Sequence, residues 1–207
     1  MNPGRTVLAA MAATIALPAL ASTAAVADPP PKGVTIDVVT VNGTGCPIGT
    51  VAIALSADSS TFTITRSGMR ADAGGTSNPA DARKTCQINL KVHVPQGYSY
   101  GIRSFGYSGT AHLEPGASGT VKVSTYFQGE PKPEAKTVTR NGPFSGPWRT
   151  VIIDENPKYS PCGEQRNFNI SAGVHVDLGT SDPSKPSYMT LDGKEVYEFS
   201  WKRCPIT

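Results

Sequence analysis

Three histidines, His93, His112 and His175, are the side chains of this chain best suited to ligate a metal or carry a proton near neutral pH. His93 and His175 fall on the polar faces of segments that alternate like strands. If those segments were neighbours, the two rings could join Asp177 around a metal ion. No H-x-H and no H-E-x-x-H spacing supports that arrangement, so we read each histidine as a partly exposed strand residue and expect no metal. A serine hydrolase would present G-x-S-x-G at a strand-to-helix elbow. Gly106-Tyr107-Ser108-Gly109 falls short of it and reads as turn chemistry. A glycosidase needs two carboxylates on facing elements, whereas Asp154 and Glu155 adjoin each other beside Asn156-Pro157. There is no phosphate-cradling loop and no EF-hand pattern, so no catalytic residue and no cofactor is assigned.

Tyr98, Tyr100, Phe105 and Tyr107 crowd one segment, with Trp148 and Trp201 elsewhere. Such rings could form a platform for sugars, but aromatic residues in strands more commonly pack the core and pair across strands, and that is how we read them. The four cysteines, Cys46, Cys86, Cys162 and Cys204, are too far apart for thiolate zinc ligation. In an exported protein they are expected to be oxidised. Of the three pairings open to four cysteines, we favour Cys46–Cys86 and Cys162–Cys204, which close one loop in each half of the chain. Loops of that length stabilise by about 4 kcal/mol each in the chain-entropy picture.

The expectation of export comes from the first 27 residues. Arg5 precedes an apolar run from Val7 to Ala21, and Ala25-Val26-Ala27 makes an A-x-A site before Asp28. That is the layout of a secretory signal peptide over residues 1–27, cleaved near Ala27. The run is shorter than the ~20 residues a bilayer span needs, so no membrane insertion is expected. Without Arg5 the remaining 18 basic residues face 16 acidic ones, a net charge of +2. The charges are dispersed, with no basic stripe, which argues against nucleic acid as a partner.

The elements that must position any site are strands. From Cys86 to Val94, Ile88, Leu90, Val92 and Val94 alternate with Gln87, Asn89, Lys91 and His93. Val34, Ile36 and Val38 alternate with polar residues, as do Phe62 and Ile64, and Val174, Val176 and Leu178. Tyr197, Phe199 and Trp201 share a face near the end of the chain. Asp192-Gly193 between two such runs predicts a two-residue hairpin. Arg70 to Lys84 predicts the longest irregular stretch. Asn89-Leu90-Lys91-Val92-His93-Val94 finds a faint echo in Asn169-Ile170 with Val174-His175-Val176, which we treat as chance. Glycine (21) and proline (18) punctuate the runs, and no segment carries a capped helical period. The expected fold is all-β, an antiparallel β-sandwich with two intradomain disulfides, as one domain over residues 28–207.

The residues around the cysteines carry a family resemblance. Gly43-Thr44-Gly45-Cys46-Pro47-Ile48-Gly49-Thr50-Val51 resembles the opening motif of the secreted family catalogued as domain of unknown function 4360. Lys84-Thr85-Cys86-Gln87-Ile88-Asn89-Leu90 with Val94-Pro95-Gln96-Gly97-Tyr98 resembles its second cysteine strand. Tyr126-Phe127-Gln128-Gly129 and Ser160-Pro161-Cys162-Gly163 are similar to two further motifs. The resemblance implies an exported, disulfide-containing protein and supplies no catalytic residue. The expected function is binding without chemistry, at the cell envelope or in the medium. Its expected partner is a cell-wall or extracellular polysaccharide, or another secreted protein. The alternatives are an inhibitor or effector acting on another protein, and a secreted hydrolase.

Overall fold

A computed structural model describes residues 28–133 and 135–205; the expected signal peptide and its cleavage site lie outside the described residues. Among the described residues twelve strands follow in order: β1 (Thr35–Asn42), β2 (Val51–Leu55), β3 (Thr61–Arg66), β4 (Arg70–Ala73), β5 (Arg83–His93), β6 (Tyr98–Leu113), β7 (Ser118–Phe127), β8 (Lys136–Asn141), β9 (Phe144–Ile153), β10 (Phe168–Asp177), β11 (Ser187–Thr190) and β12 (Gly193–Arg203). They form two antiparallel sheets packed face to face. Sheet I has the order β1-β5-β10-β7-β8; sheet II has the order β2-β3-β12-β6-β11-β4, with β9 on the other edge of β6. The expected sandwich is the observed architecture.

The alternation of side chains explains the layers. On β5, Cys86, Ile88, Leu90 and Val92 are buried while Gln87 is exposed. On β10, Phe168, Ile170, Ala172, Val174 and Val176 point the same way. Sheet II answers with Phe62 and Ile64 from β3, Tyr100, Ile102, Phe105 and Tyr107 from β6, and Tyr197, Phe199 and Trp201 from β12. The Tyr100 ring meets Phe127 edge-on at 5.3 Å and Phe199 at 5.6 Å, which ties the two sheets together. Each large apolar side chain so buried contributes about 1.5–3 kcal/mol. Tyr100, Phe105, Tyr107, Trp148 and Trp201 are therefore core residues and form no exposed platform for sugars; Tyr98, the sixth ring weighed, is half-buried.

Both disulfides have the expected pairing, Cys46–Cys86 and Cys162–Cys204. The first fastens the loop before β2 to a central strand of sheet I. Gly43 makes this approach feasible: its φ is +130°, and a Cβ there would lie 2.2 Å from the Thr85 carbonyl oxygen. The neighbouring Gly45 N–H donates to that same oxygen at 2.8 Å.

Among the described residues one ion pair lies inside the sandwich. Arg66 continues the inward parity of Phe62 and Ile64, and Glu195 that of Tyr197 and Phe199. Arg66 Nε is 2.6 Å from Glu195 Oε1, and Nη2 donates to Oε2 at 3.0 Å; both side chains are fully buried. The Tyr197 hydroxyl donates to Glu195 Oε2 at 3.2 Å. Burial pushes the Glu195 carboxyl above its ordinary value, while Arg66 and Tyr197 pull it back down.

Three local expectations are corrected. The stretch from Arg70 to Lys84 contains β4, a 3₁₀ turn over Pro79–Ala82 and the start of β5. β4 is short and its buried residues are Ala71 and Ala73, so it lacks a branched apolar signal. Asp192-Gly193 does not make a hairpin. β11 and β12 lie end to end along one edge of β6, both antiparallel to it. Leu191 N–H goes to the Met69 carbonyl and Asp192 N–H to that of Ser108, so the positive φ of Gly193 serves a sideways step. On β1, a bulge between Val38 and Thr40 ends the alternation and leaves Val38 and Val39 exposed.

The turn before β3 yields a pH prediction. Asp58 accepts from Ser56 Oγ at 2.6 Å, from Ser60 N–H at 3.1 Å and from Ser60 Oγ at 2.8 Å. These donors hold its carboxyl at about 2, below the ordinary 3.8. A carboxyl depressed on folding contributes stability above its ordinary value and loses that contribution as pH falls through about 2. A carbon-13 carboxyl titration by NMR is expected to place the Asp58 midpoint near 2, and Ser56→Ala is expected to raise it. A midpoint at the ordinary value contradicts this assignment.

Candidate functional site

The outward face of sheet I is built by the residues that alternate with its core. Tyr126 of β7 pairs in register with Asn169 of β10, Asn169 with Asn89 of β5, and Asn89 with Thr40 of β1. The next row is Ser124, Ser171, Gln87 and Asn42. These two rows contain no charged residue, and Ser124, at the β7 end of the second, is buried. Asn167 Nδ2 donates to Asn89 Oδ1 at 2.8 Å, and Asn89 Nδ2 donates to Asn169 Oδ1 at 2.7 Å. The amides thus orient one another, leaving Asn169 with its amide donors and Asn167 with its carbonyl oxygen for another partner. Lys132, from the loop between β7 and β8, donates from Nζ to Ser171 Oγ at 3.0 Å and brings one cation to the rim.

Further along the same face the chemistry becomes cationic. Gly173 of β10 has no side chain, and a trough of about 170 Å³ opens over it, lined by Arg83, Thr120, Lys122 and His175. His175 Nδ1 lies 2.9 Å from the Ala82 carbonyl oxygen, which can only accept, so Nδ1 carries the proton. The face as a whole offers neutral amides and a half-buried tyrosine beside a small basic trough.

A second concavity lies at the side of the sandwich, where β8 ends and leaves the edge of β7 uncovered. This cleft of about 320 Å³ has Ile102, Phe105 and Phe127 at its floor and Glu130, Asp154, Lys136 and Lys158 at its rim. Both carboxylates are engaged: Glu130 lies 3.9 Å from Lys158 Nζ, and Asp154 Oδ1 accepts from Asn156 N–H at 3.1 Å.

The histidines do not converge. β5 and β10 are neighbours, but they run antiparallel. His93 pairs with Thr35 and His175 with Arg83, which puts the two rings at opposite ends of the strands, about 30 Å apart. His93 Nε2 lies 2.8 Å from Asp37 Oδ2. Among the described residues no group of three His, Cys, Asp or Glu side chains could hold a metal ion. His112 touches Ser145 Oγ through Nδ1 at 3.3 Å and Glu114 Oε1 through Nε2 at 3.2 Å. That trio sits on the outer face of sheet II, with Ser145 exposed and the Tyr188 ring 6.1 Å from His112. Ser108 lies on the same face, mid-strand and away from any elbow. The cysteines are all in disulfides.

The polar parity of Gln87 and Asn89 was visible in the sequence; their partnership with Asn169 and Tyr126 was not. The faint echo between the two asparagine-bearing segments is a pair of adjacent strands, with Asn89 directly opposite Asn169. The motif Tyr126-Phe127-Gln128-Gly129 also divides by parity. Phe127 enters the core, Tyr126 faces the amides, and the Gln128 carbonyl accepts from Arg166 Nη1 at 3.1 Å.

A secreted protein of Arthroderma benhamiae, described as uncharacterized, is 33% identical over 185 residues, covering 85% of this chain and 74% of that protein. Among solved structures, one described as "CBM4 structure and function" gives a TM-score of 0.23 at 13% identity, covering 75% of this chain and 81% of that one. The cowpea mosaic virus top component gives 0.27 at 10% identity, covering 89% and 92%. At those TM-scores neither likeness carries an argument about this chain. The model of the family described as "Domain of unknown function (DUF4360)" matches residues 32–204, and with both cysteine motifs inside that span the chain belongs to this family.

Proposed function

We propose that the protein is exported, cleaved after Ala27, and acts by binding an extracellular polysaccharide on the outer face of sheet I, without chemistry of its own. The observation that carries this is the chain of amides Asn167–Asn89–Asn169 in uncharged rows beside Tyr126. A solvent face with no ligand is served by dispersed lysines, glutamates and threonines. Amides that fix one another instead present donors and acceptors in set directions, which is what recognition of sugar hydroxyls requires. Tyr126 adds an apolar ring with a polar tip at the edge of the rows. The leader, the two disulfides and the relative described as secreted support the extracellular setting.

The Arg83–Lys122–His175 trough favours a polymer that also bears carboxylate or phosphate groups. Binding is then tighter to acidic than to neutral polysaccharides at low salt, and the difference shrinks as salt is added. Affinity electrophoresis through gels containing neutral or uronate-bearing polysaccharides tests this. The wild type is retarded, and Tyr126→Ala or Gln87→Ala each weaken binding about threefold to tenfold, the worth of one lost contact. Free migration through every polymer contradicts the proposal.

A further inference from the structure

Asparagine is among the thermolabile residues, and two in this chain precede glycine, Asn42 and Asn141. We infer that Asn42 is a site of spontaneous deamidation, with water as the only co-reactant, and that Asn141 is protected. In this reaction the backbone nitrogen of the next residue attacks the side-chain amide carbon. A C–N bond closes a five-membered succinimide, the attacking nitrogen gives up its proton, and ammonia leaves. Water then adds to either ring carbonyl and breaks one C–N bond, leaving aspartate or isoaspartate. Two conditions favour the attack: a next residue with no side chain to crowd it, and a backbone nitrogen not held by an acceptor.

Both pairs meet the first condition. Both asparagines are exposed, and each ends an edge strand of sheet I, β1 and β8. The second condition separates them. Thr85 of β5 accepts at its carbonyl oxygen from the Gly45 N–H at 2.8 Å and donates its own N–H to Thr44 Oγ1 at 3.2 Å. Its backbone groups therefore face the β1 side. Alternate residues of an antiparallel strand direct their backbone groups to the same neighbour, so Gln87 faces β1 as well. Asn42, opposite Gln87, has both its backbone groups in that rung. Gly43, one residue on, turns its N–H to the open edge of the sheet, where it has no acceptor among the described residues. At the other pair the Gly142 N–H donates to the Ala117 carbonyl oxygen at 2.8 Å, and the Glu114 carbonyl oxygen lies against Gly142. That nitrogen must leave its acceptor before it can attack. Asn141 therefore reacts about fivefold to tenfold more slowly than Asn42, the worth of one hydrogen bond.

The two products act differently on the fold. Aspartate keeps the main chain and adds a charge. Isoaspartate adds a methylene to the main chain just before Gly43, which lies against the Thr85 carbonyl, and close to the Cys46–Cys86 link. The isoaspartate form therefore melts below the aspartate form. Asn42 also closes the second row of the candidate face, so either product puts a carboxylate where the rows have none. Weaker retardation by uronate-bearing polymers follows at low salt. That consequence rests on the function proposed above; the modification does not.

Ageing the chain over residues 28–207 in mildly alkaline buffer, with peptide mapping by mass spectrometry at intervals, tests this. The peptide holding Asn42 gains the mass of an acid replacing an amide, in two chromatographic forms. It does so about fivefold to tenfold faster than the peptide holding Asn141. In urea, where the Ala117 carbonyl no longer holds the Gly142 N–H, the two rates converge. Asn42→Gln, whose longer side chain would have to close a six-membered ring, silences that site and leaves the rate at Asn141 unchanged. An Asn42 that stays intact in the folded protein while reacting in urea overturns the inference. So do equal rates at the two sites in the folded protein, or an Asn141 that reacts first. In affinity electrophoresis, protein modified at Asn42 but retarded like fresh protein contradicts the place of Asn42 in the binding face and leaves the modification standing.

Discussion

Replacing Arg66 with methionine is expected to lower the folding stability by about 3–5 kcal/mol, because it leaves the Glu195 carboxylate buried without its counter-charge. Glu195 has no route to water: its side chain is fully buried, and its two oxygens are held by Arg66 and the Tyr197 hydroxyl. The loss is therefore comparable to that from a large buried apolar truncation. Replacing both partners together, Arg66→Met with Glu195→Leu, removes the desolvation cost along with the pair and recovers most of the loss. Urea unfolding of the three variants checks this, read as midpoint shifts at constant slope.

The same variant has a signed pH dependence. Arg66 is a group that lowers the Glu195 carboxyl, so its removal leaves desolvation less opposed and the carboxyl rises further above 4.5. The native state then holds a proton that the unfolded state releases. Stability falls as pH rises through the raised value, and the penalty of Arg66→Met is smallest below about 4.5. A penalty that grows on acidification contradicts the assignment of a buried, charged Glu195.

The two disulfides are expected to differ although they close loops of nearly the same length. The sequence separations are 40 and 42, so the chain-entropy contribution is about 4 kcal/mol for each. Their surroundings differ. Cys46 and Cys86 are each 1% exposed and packed in the core, whereas Cys162 is exposed and Cys204 half-buried. A thiolate must reach the sulfur to exchange with it, so mild reductant opens Cys162–Cys204 first and leaves Cys46–Cys86 intact. Cys46→Ala/Cys86→Ala adds a cavity to the lost cross-link and costs more than Cys162→Ala/Cys204→Ala, by about 1–2 kcal/mol. Alkylation with mass mapping gives the order of opening, and thermal melts of the double variants give the costs. Opening of Cys46–Cys86 first contradicts the packing described for it.

Alternation made the sandwich and its inner face legible. Cys86, Ile88, Leu90 and Val92 announce one buried side of β5, and they are buried. The same parity places Arg66 with Phe62 and Ile64, and Glu195 with Tyr197, so the internal ion pair was written in the sequence as two charged residues on apolar faces. Asp192-Gly193 misled because a glycine of positive φ serves a sideways step as well as a turn back. Which use it has depends on β6, whose Ser108 carbonyl takes the Asp192 N–H. β4 was hidden because alanines carry little periodic signal. The candidate face depends on a pairing across 80 residues, Asn89 with Asn169, and no local pattern encodes which strands become neighbours. Once the register is known, two segments that looked like a chance echo become one row of amides.

Binding on the outer face of sheet I is tested most directly by mapping it. Backbone and side-chain amide signals of the chain over residues 28–207, followed by NMR during titration with soluble oligosaccharides of a uronate-bearing polymer, report contact residue by residue. Shifts concentrated on the side-chain amides of Asn89, Asn167, Asn169 and Gln87, with Tyr126 and the neighbours of Gly173, are the predicted result. Shifts confined to the cleft around Glu130 and Asp154, or no shifts with oligosaccharides of a polymer that retards the protein in gels, contradict it.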